Sequence, residues 1–177
     1  TAQFGVLTSS QIAGLTPEQV GKLETADLAA LTPTALKGLG VDAMASLSTG
    51  QVAALTSAQF TTLSSTQLSA LGTAQVAAIT TNDLKTLGTT AMAGLSAEQV
   101  GSLTTVQVAA LSNAQVAGLS AAQFAGLGTD DLAAMSSTQI AVLGTAQAAA
   151  LSGQQLAAIE TADIAALSTA ALRALGA

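Results

Sequence analysis

The 177-residue chain has no cysteine, histidine, tryptophan or tyrosine, two prolines and four basic residues. Without cysteine there is no disulfide framework and no thiol redox chemistry. Without histidine, cysteine and tyrosine, most general bases, nucleophile activators and metal ligands are gone. Four Lys/Arg against ten Asp/Glu, a net charge of −6, leave no basic patch to neutralise phosphates, so nucleic acid is not an expected partner. No apolar run approaches the roughly 18 residues that a membrane span requires. Charged residues make up 8% of the chain, against about 25% in an ordinary globular domain. The expectation from these absences is a non-catalytic protein with no catalytic, cofactor-binding or metal-binding residue.

What the chain does have is a repeat. Leucine falls at 7, 15, 23, 31, 39, 47, 55, 63 and 71, and the series runs on through Ile79 and Leu87 to Leu175. A second apolar series runs from Phe4 through Ile12, Val20, Leu28, Leu36, Met44, Val52 and Phe60 to Leu172, weakened only at Ala148. Both have a period of eight without insertion or deletion, which makes about 22 tandem octads.

With Thr16 as position 1, one octad reads Thr16, Pro17, Glu18, Gln19, Val20, Gly21, Lys22, Leu23. Position 1 is Ser or Thr in 14 copies, Gly in six and Glu in two. From residue 11 on, position 4 is Gln in 13 copies, Asp in four (Asp27, Asp83, Asp131, Asp163) and Ala in the rest. Positions 5 and 8 are large and apolar; positions 6 and 7 are mostly small.

Ser/Thr followed three residues later by Gln is a capping box, in which hydroxyl and amide satisfy the free N–H groups of a helix start. Position 2 is then the first helical residue, where proline's fixed φ and missing N–H do no harm. Pro17 and Pro33 both stand there. The charges follow the helix dipole. All ten acids lie at positions 1, 3 or 4; the four bases, Lys22, Lys37, Lys85 and Arg173, lie at 6 or 7. Each octad therefore reads as its own helix of about six residues, closed by a tight turn.

One continuous helix fits less well. Eight residues at about 100° each overshoot two turns by about 80°, so the apolar seam would wind around the axis. A β-solenoid lacks its period-2 alternation and would be built largely from alanine, a poor strand former. Since an isolated six-residue helix is unstable in water, the octads must stack. The predicted fold is all-α: a solenoid or superhelix of about 22 short capped helices, one per octad, running as a single uninterrupted array over 1–177. Small residues at positions 6 and 7 allow close helix approach. Thr1 and Ala177 occupy the same phase, and neither end departs from the pattern, so the expectation is a segment of a longer array or ends that stack on other copies.

Few residues invite a chemical reading. Asp130 and Asp131 in "GTDDLAAM" are the densest acidic spot, yet two adjacent carboxylates fall well short of a calcium loop; they read as helix-start acids. "GLG" at 38–40 has no phosphate-loop context and reads as a junction. The Ser and Thr hydroxyls read as caps. The Gln series reads as capping, or as a surface ladder that pairs with another copy. From residue 9 on, ten copies carry Thr at position 2, Thr25, Thr49 and Thr73 among them. Pro, Val41, Asn113, Gly153 and Ala interrupt the series, so no flat Thr array is implied.

Runs such as "LTSAQF", "LSNAQVAGL" and "LGTAQVAAI" resemble the tandem L-[ST]-x-x-Q-[VIL]-A-A repeats of large, repetitive secreted and surface proteins of bacteria. The resemblance covers the whole chain. It implies a bacterial extracellular or cell-surface setting and adhesin-like or filament-forming roles, and it carries over no functional residue. The reading from sequence is a structural protein, a filament subunit or a cell-surface stalk or spacer that associates with its own copies. The alternative is a repetitive binding face for a regular target such as ice or polysaccharide.

Overall fold

The computed structural model describes residues 2–175. Thr1 and Ala177, whose shared phase bears on the end-stacking expectation, lie outside the described residues. The fold is all-helical. A 3-10 turn at Phe4–Val6 is followed by 21 α-helices, and no strand occurs among the described residues. The chain divides into two compact units, Thr1–Gly94 and Leu95–Ala177.

Each octad starts as its sequence dictates. At Thr16 the backbone N–H donates to Gln19 Oε1 at 2.8 Å, while the Gln19 N–H donates to Thr16 Oγ1 at 3.3 Å. Pro17 and Pro33 are first helical residues. The same reciprocal box closes at Ser48–Gln51, Thr56–Gln59 and Ser120–Gln123. Where glycine replaces the cap ahead of a glutamine, the amide half remains: the Gly144 N–H donates to Gln147 Oε1 at 2.9 Å. Thr16→Ala should lower stability by about 1 kcal/mol, read as a shift in the urea midpoint. No change there would mean that the capping box does not stabilise its helix.

The helices are four to six residues long, so the expected six is their upper limit. Some, such as Thr49–Ala54, use positions 2 to 7; others, such as Ser57–Phe60, end at position 5. After a six-residue helix such as Thr49–Ala54 the junction is two extended residues. Leu55 has φ −62° and ψ 143°, and Thr56 has φ −85° and ψ 156°. These are polyproline-like angles that any L-residue adopts. Gly40, a junction in the sequence, has an ordinary φ of −70°. The turn needs no left-handed residue, which is why Ser and Thr can occupy most junctions.

Positions 5 and 8 form the core of both units. Val20, Leu28, Leu36, Met44, Val52 and Phe60 are buried in the first; Val100, Val108, Val116 and Phe124 are buried in the second. Ala148, the weak member of its series, is buried as well. Within the first unit Pro17–Gly21 packs on Val41–Ala45, and Thr25–Ala30 on Thr49–Ala54. Within the second, Ala97–Gly101 packs on Ala121–Ala125, and Thr105–Ala110 on Thr129–Ala133. All four pairs are three octads apart.

Candidate functional site

A glutamine side chain has two polar ends, and the capping box uses only its carbonyl oxygen. Gln59, fully buried, shows where the other end goes. Its Oε1 accepts from the Thr56 N–H at 2.7 Å. Its Nε2 donates to the carbonyls of Leu28 and Leu31, each at 2.8 Å. These acceptors are position 5 and position 8 of the octad four back, 31 and 28 residues earlier.

The arrangement recurs. In the first unit Gln51 Nε2 donates to Val20 and Leu23, Gln67 to Leu36 and Leu39, and Gln75 to Met44 and Leu47. In the second unit Gln139 reaches Val108 and Leu111, and Gln147 reaches Val116 and Leu119. Helices thus touch three octads back while glutamines bond four octads back. Within each unit the coil therefore makes a turn in between three and four octads. These glutamines are buried staples between turns of one copy, not a surface ladder. Sequence reasoning stopped at the cap; the signal available was the unspent Nε2.

A second link runs along position 7. Ser46 Oγ donates to the Pro17 carbonyl at 2.9 Å, 29 residues earlier, and Thr62 Oγ1 to the Pro33 carbonyl at 3.2 Å. Glycine at this position brings the turns closer. A Cβ added to Gly38 would lie 2.0 Å from the Ser9 carbonyl oxygen, and one on Gly94 would lie 2.4 Å from that of Ser65. Gly38 of the "GLG" run is thus a contact point between turns. Beside it an open crevice of about 480 Å³ is lined by Lys37, Val41, Thr62 and Thr66 among others.

Three of the position-4 aspartates are buried. Asp83 accepts from the hydroxyls of Ser57 and Thr80, both at 2.5 Å. Asp163 accepts from the Ser137 hydroxyl. Asp131 accepts from the Gly128 N–H at 2.9 Å. Burial raises the Asp131 pKa above its ordinary value; the Gly128 N–H opposes the rise, and the charge of Asp130 adds to it by a smaller amount. No group of three or more metal-ligating side chains occurs among the described residues. Asp130 and Asp131 both sit in the first turn of Thr129–Ala133, as helix-start acids do. Also among the described residues, no helix is long and apolar enough to cross a membrane. The Thr residues at position 2 are exposed or half-buried.

The model of one protein family, described as the ALTTAQ repeat, matches the chain at residues 20–57, 76–113, 124–158 and 156–177, most of its length. Its six letters read as positions 7, 8, 1, 2, 3 and 4 of the octad, as in Ala54–Leu55–Thr56–Ser57–Ala58–Gln59. They span the junction, the cap and the staple. No curated protein matches the chain.

Proposed function

Because the chain belongs to the ALTTAQ repeat family, we propose that it is a non-catalytic structural repeat protein, a filament subunit or stalk of the bacterial cell surface or its surroundings. The observation that carries this reading is the recurrence of one inter-turn contact, Gln Nε2 to the carbonyls 28 and 31 residues earlier, in both units. An array built on one repeating contact grows by adding octads, without any octad being special. That suits a role in which length matters more than any single site. The polar atoms of the buried glutamines at position 4 are spent on the protein's own backbone, as a scaffold requires. Four Lys/Arg and three Phe also offer few cleavage points to common proteases, which fits life outside the cell.

Self-association completes the proposal: copies join into filaments or bundles. Electron microscopy of the purified chain across a concentration series tests it. Fibres of uniform width that lengthen with concentration are the expected result. Particles that stay monomeric at every concentration would remove the filament reading and leave the stalk or spacer. Saturable binding of those monomers to ice or polysaccharide would replace the structural role by a binding face.

A further inference from the structure

The glutamine staples lapse in pairs of octads. In the first unit position 4 reads Gln59, Gln67, Gln75, Asp83, Ala91; in the second it reads Gln139, Gln147, Gln155, Asp163, Ala171. The same run of five thus returns ten octads later, and a side-chain link returns with it. The Ser57 hydroxyl donates to Asp83 Oδ1 and the Ser137 hydroxyl to Asp163 Oδ1, each from 26 residues earlier. Alanine has no donor and a carboxylate only accepts, so neither member of the pair can staple a carbonyl. We propose that the Asp83–Ala91 and Asp163–Ala171 pairs are built-in seams: turns of each unit part here, tethered by the Ser–Asp bond, before they part where glutamines hold them.

The stacking register is kept at these places. In the stapled octad of Gln59, Thr62 reaches the Pro33 carbonyl 29 residues earlier. In the octad of Ala91, the close approach of Gly94 to the Ser65 carbonyl spans the same 29 residues. In that of Ala171, Thr169–Ala174 packs on Thr145–Ala149, three octads back as elsewhere. What is missing is the donor. Leu63 and Leu143 precede the two alanines by 28 residues, and Phe60 and Ile140 by 31. All four are at most 5% exposed. The Phe60 carbonyl keeps the Leu63 N–H at 3.3 Å and the Ile140 carbonyl the Leu143 N–H at 3.1 Å, without the glutamine that Leu28 and Leu31 receive. The other gaps differ. Leu7 and Leu15, 28 residues before Ala35 and Ala43, are half-buried, where water can serve a carbonyl. Asp131 stands alone between two glutamine octads. The seams give the array places to yield without unfolding the stapled turns.

The test is hydrogen exchange of the position-8 leucine amides of the full chain, read by NMR and corrected for intrinsic rates. Leu63 and Leu143 should exchange roughly tenfold faster than Leu31, Leu47, Leu111 and Leu119, the value of one or two net hydrogen bonds. All six are at most 5% exposed, so burial does not separate them. The last four carry carbonyls that a glutamine staples. Ala91→Gln should slow Leu63 to the stapled rate and leave Leu143 as it was; Ala171→Gln should do the reverse. Gln123 shows that glutamine fits an octad with a glycine contact. It donates to the Leu95 carbonyl at 2.7 Å, although a Cβ on its Gly126 would lie 2.4 Å from the Ala97 carbonyl oxygen, as one on Gly94 would from that of Ser65. Should a variant fail to fold, the six wild-type amides decide alone. Equal wild-type rates, a glutamine at 91 that leaves Leu63 unchanged, or one that slows Leu63 and Leu143 alike would overturn the seams.

Discussion

Gln59→Ala should destabilise the first unit by about 4 kcal/mol. The substitution removes three hydrogen bonds at once: it strands the Thr56 N–H and the Leu31 carbonyl, and leaves the Leu28 carbonyl with the Leu31 N–H, in a region where Gln59 itself is 0% exposed. A buried backbone group left without a partner costs about 1–3 kcal/mol; some water entry keeps the total below the sum. Gln19→Ala is the control. Gln19 is exposed and makes the same cap, so its loss should cost only about 1 kcal/mol. Gln59→Glu separates the two ends of the side chain. The carboxylate still accepts from the Thr56 N–H but faces two carbonyls without a donor. At neutral pH it should cost at least as much as alanine. Burial would raise its pKa, so stability should return as pH falls through that value. Urea unfolding followed by circular dichroism reads all three. A loss of less than about 1 kcal/mol in Gln59→Ala would show that the carbonyl bonds add nothing beyond the cap.

The second large effect comes from one methyl group. Gly38→Ala should cost about 3 kcal/mol, at the upper end of overpacking, because the new Cβ would sit 2.0 Å from the Ser9 carbonyl oxygen and 2.8 Å from its carbon. Both atoms are backbone, so relief requires one turn to move against another. Gly153→Ala is the contrasting case. Nothing lies within 4 Å of a Cβ there, and Gly153 is the first residue of its helix. The substitution should stabilise by about 0.5–1 kcal/mol by restricting the unfolded chain. One change, made at two glycines, is expected to shift the melting temperature in opposite directions. Equal shifts would mean that the approach of the turns at Gly38 is not what sets its cost.

What could be read from the sequence is what lies within one octad. The Thr16–Gln19 box, the placement of Pro17 and the apolar pair at positions 5 and 8 depend on neighbours up to four residues away. A single repeat displays them. The partner of Gln59 Nε2 lies 28 and 31 residues back, and that distance depends on how helices of four to six residues settle against each other. No octad encodes it alone. The identical repeats also hide the answer, because every octad offers the same carbonyls to every glutamine. The glycines were legible only in part. Gly38 and Gly40 look alike in "GLG", yet one is a steric contact between turns and the other an unstrained cap. Helix length was legible as an upper bound, since positions 6 and 7 join either the helix or the turn according to local packing.

The spacing of the staples also bears on how such a gene can change. Each glutamine finds its carbonyls by counting back whole octads, and every octad presents equivalent ones. Gain or loss of eight codons at one place hands the glutamines of the next four octads different but equivalent partners, and the contacts close again. Loss of a single codon moves the glutamines of the next four octads, whose links span the deletion, off their carbonyls. Recombination between copies is therefore harmless in units of eight and breaks a block of staples in any other. The absence of a single slip from Leu7 to Leu175 is the trace such a rule leaves.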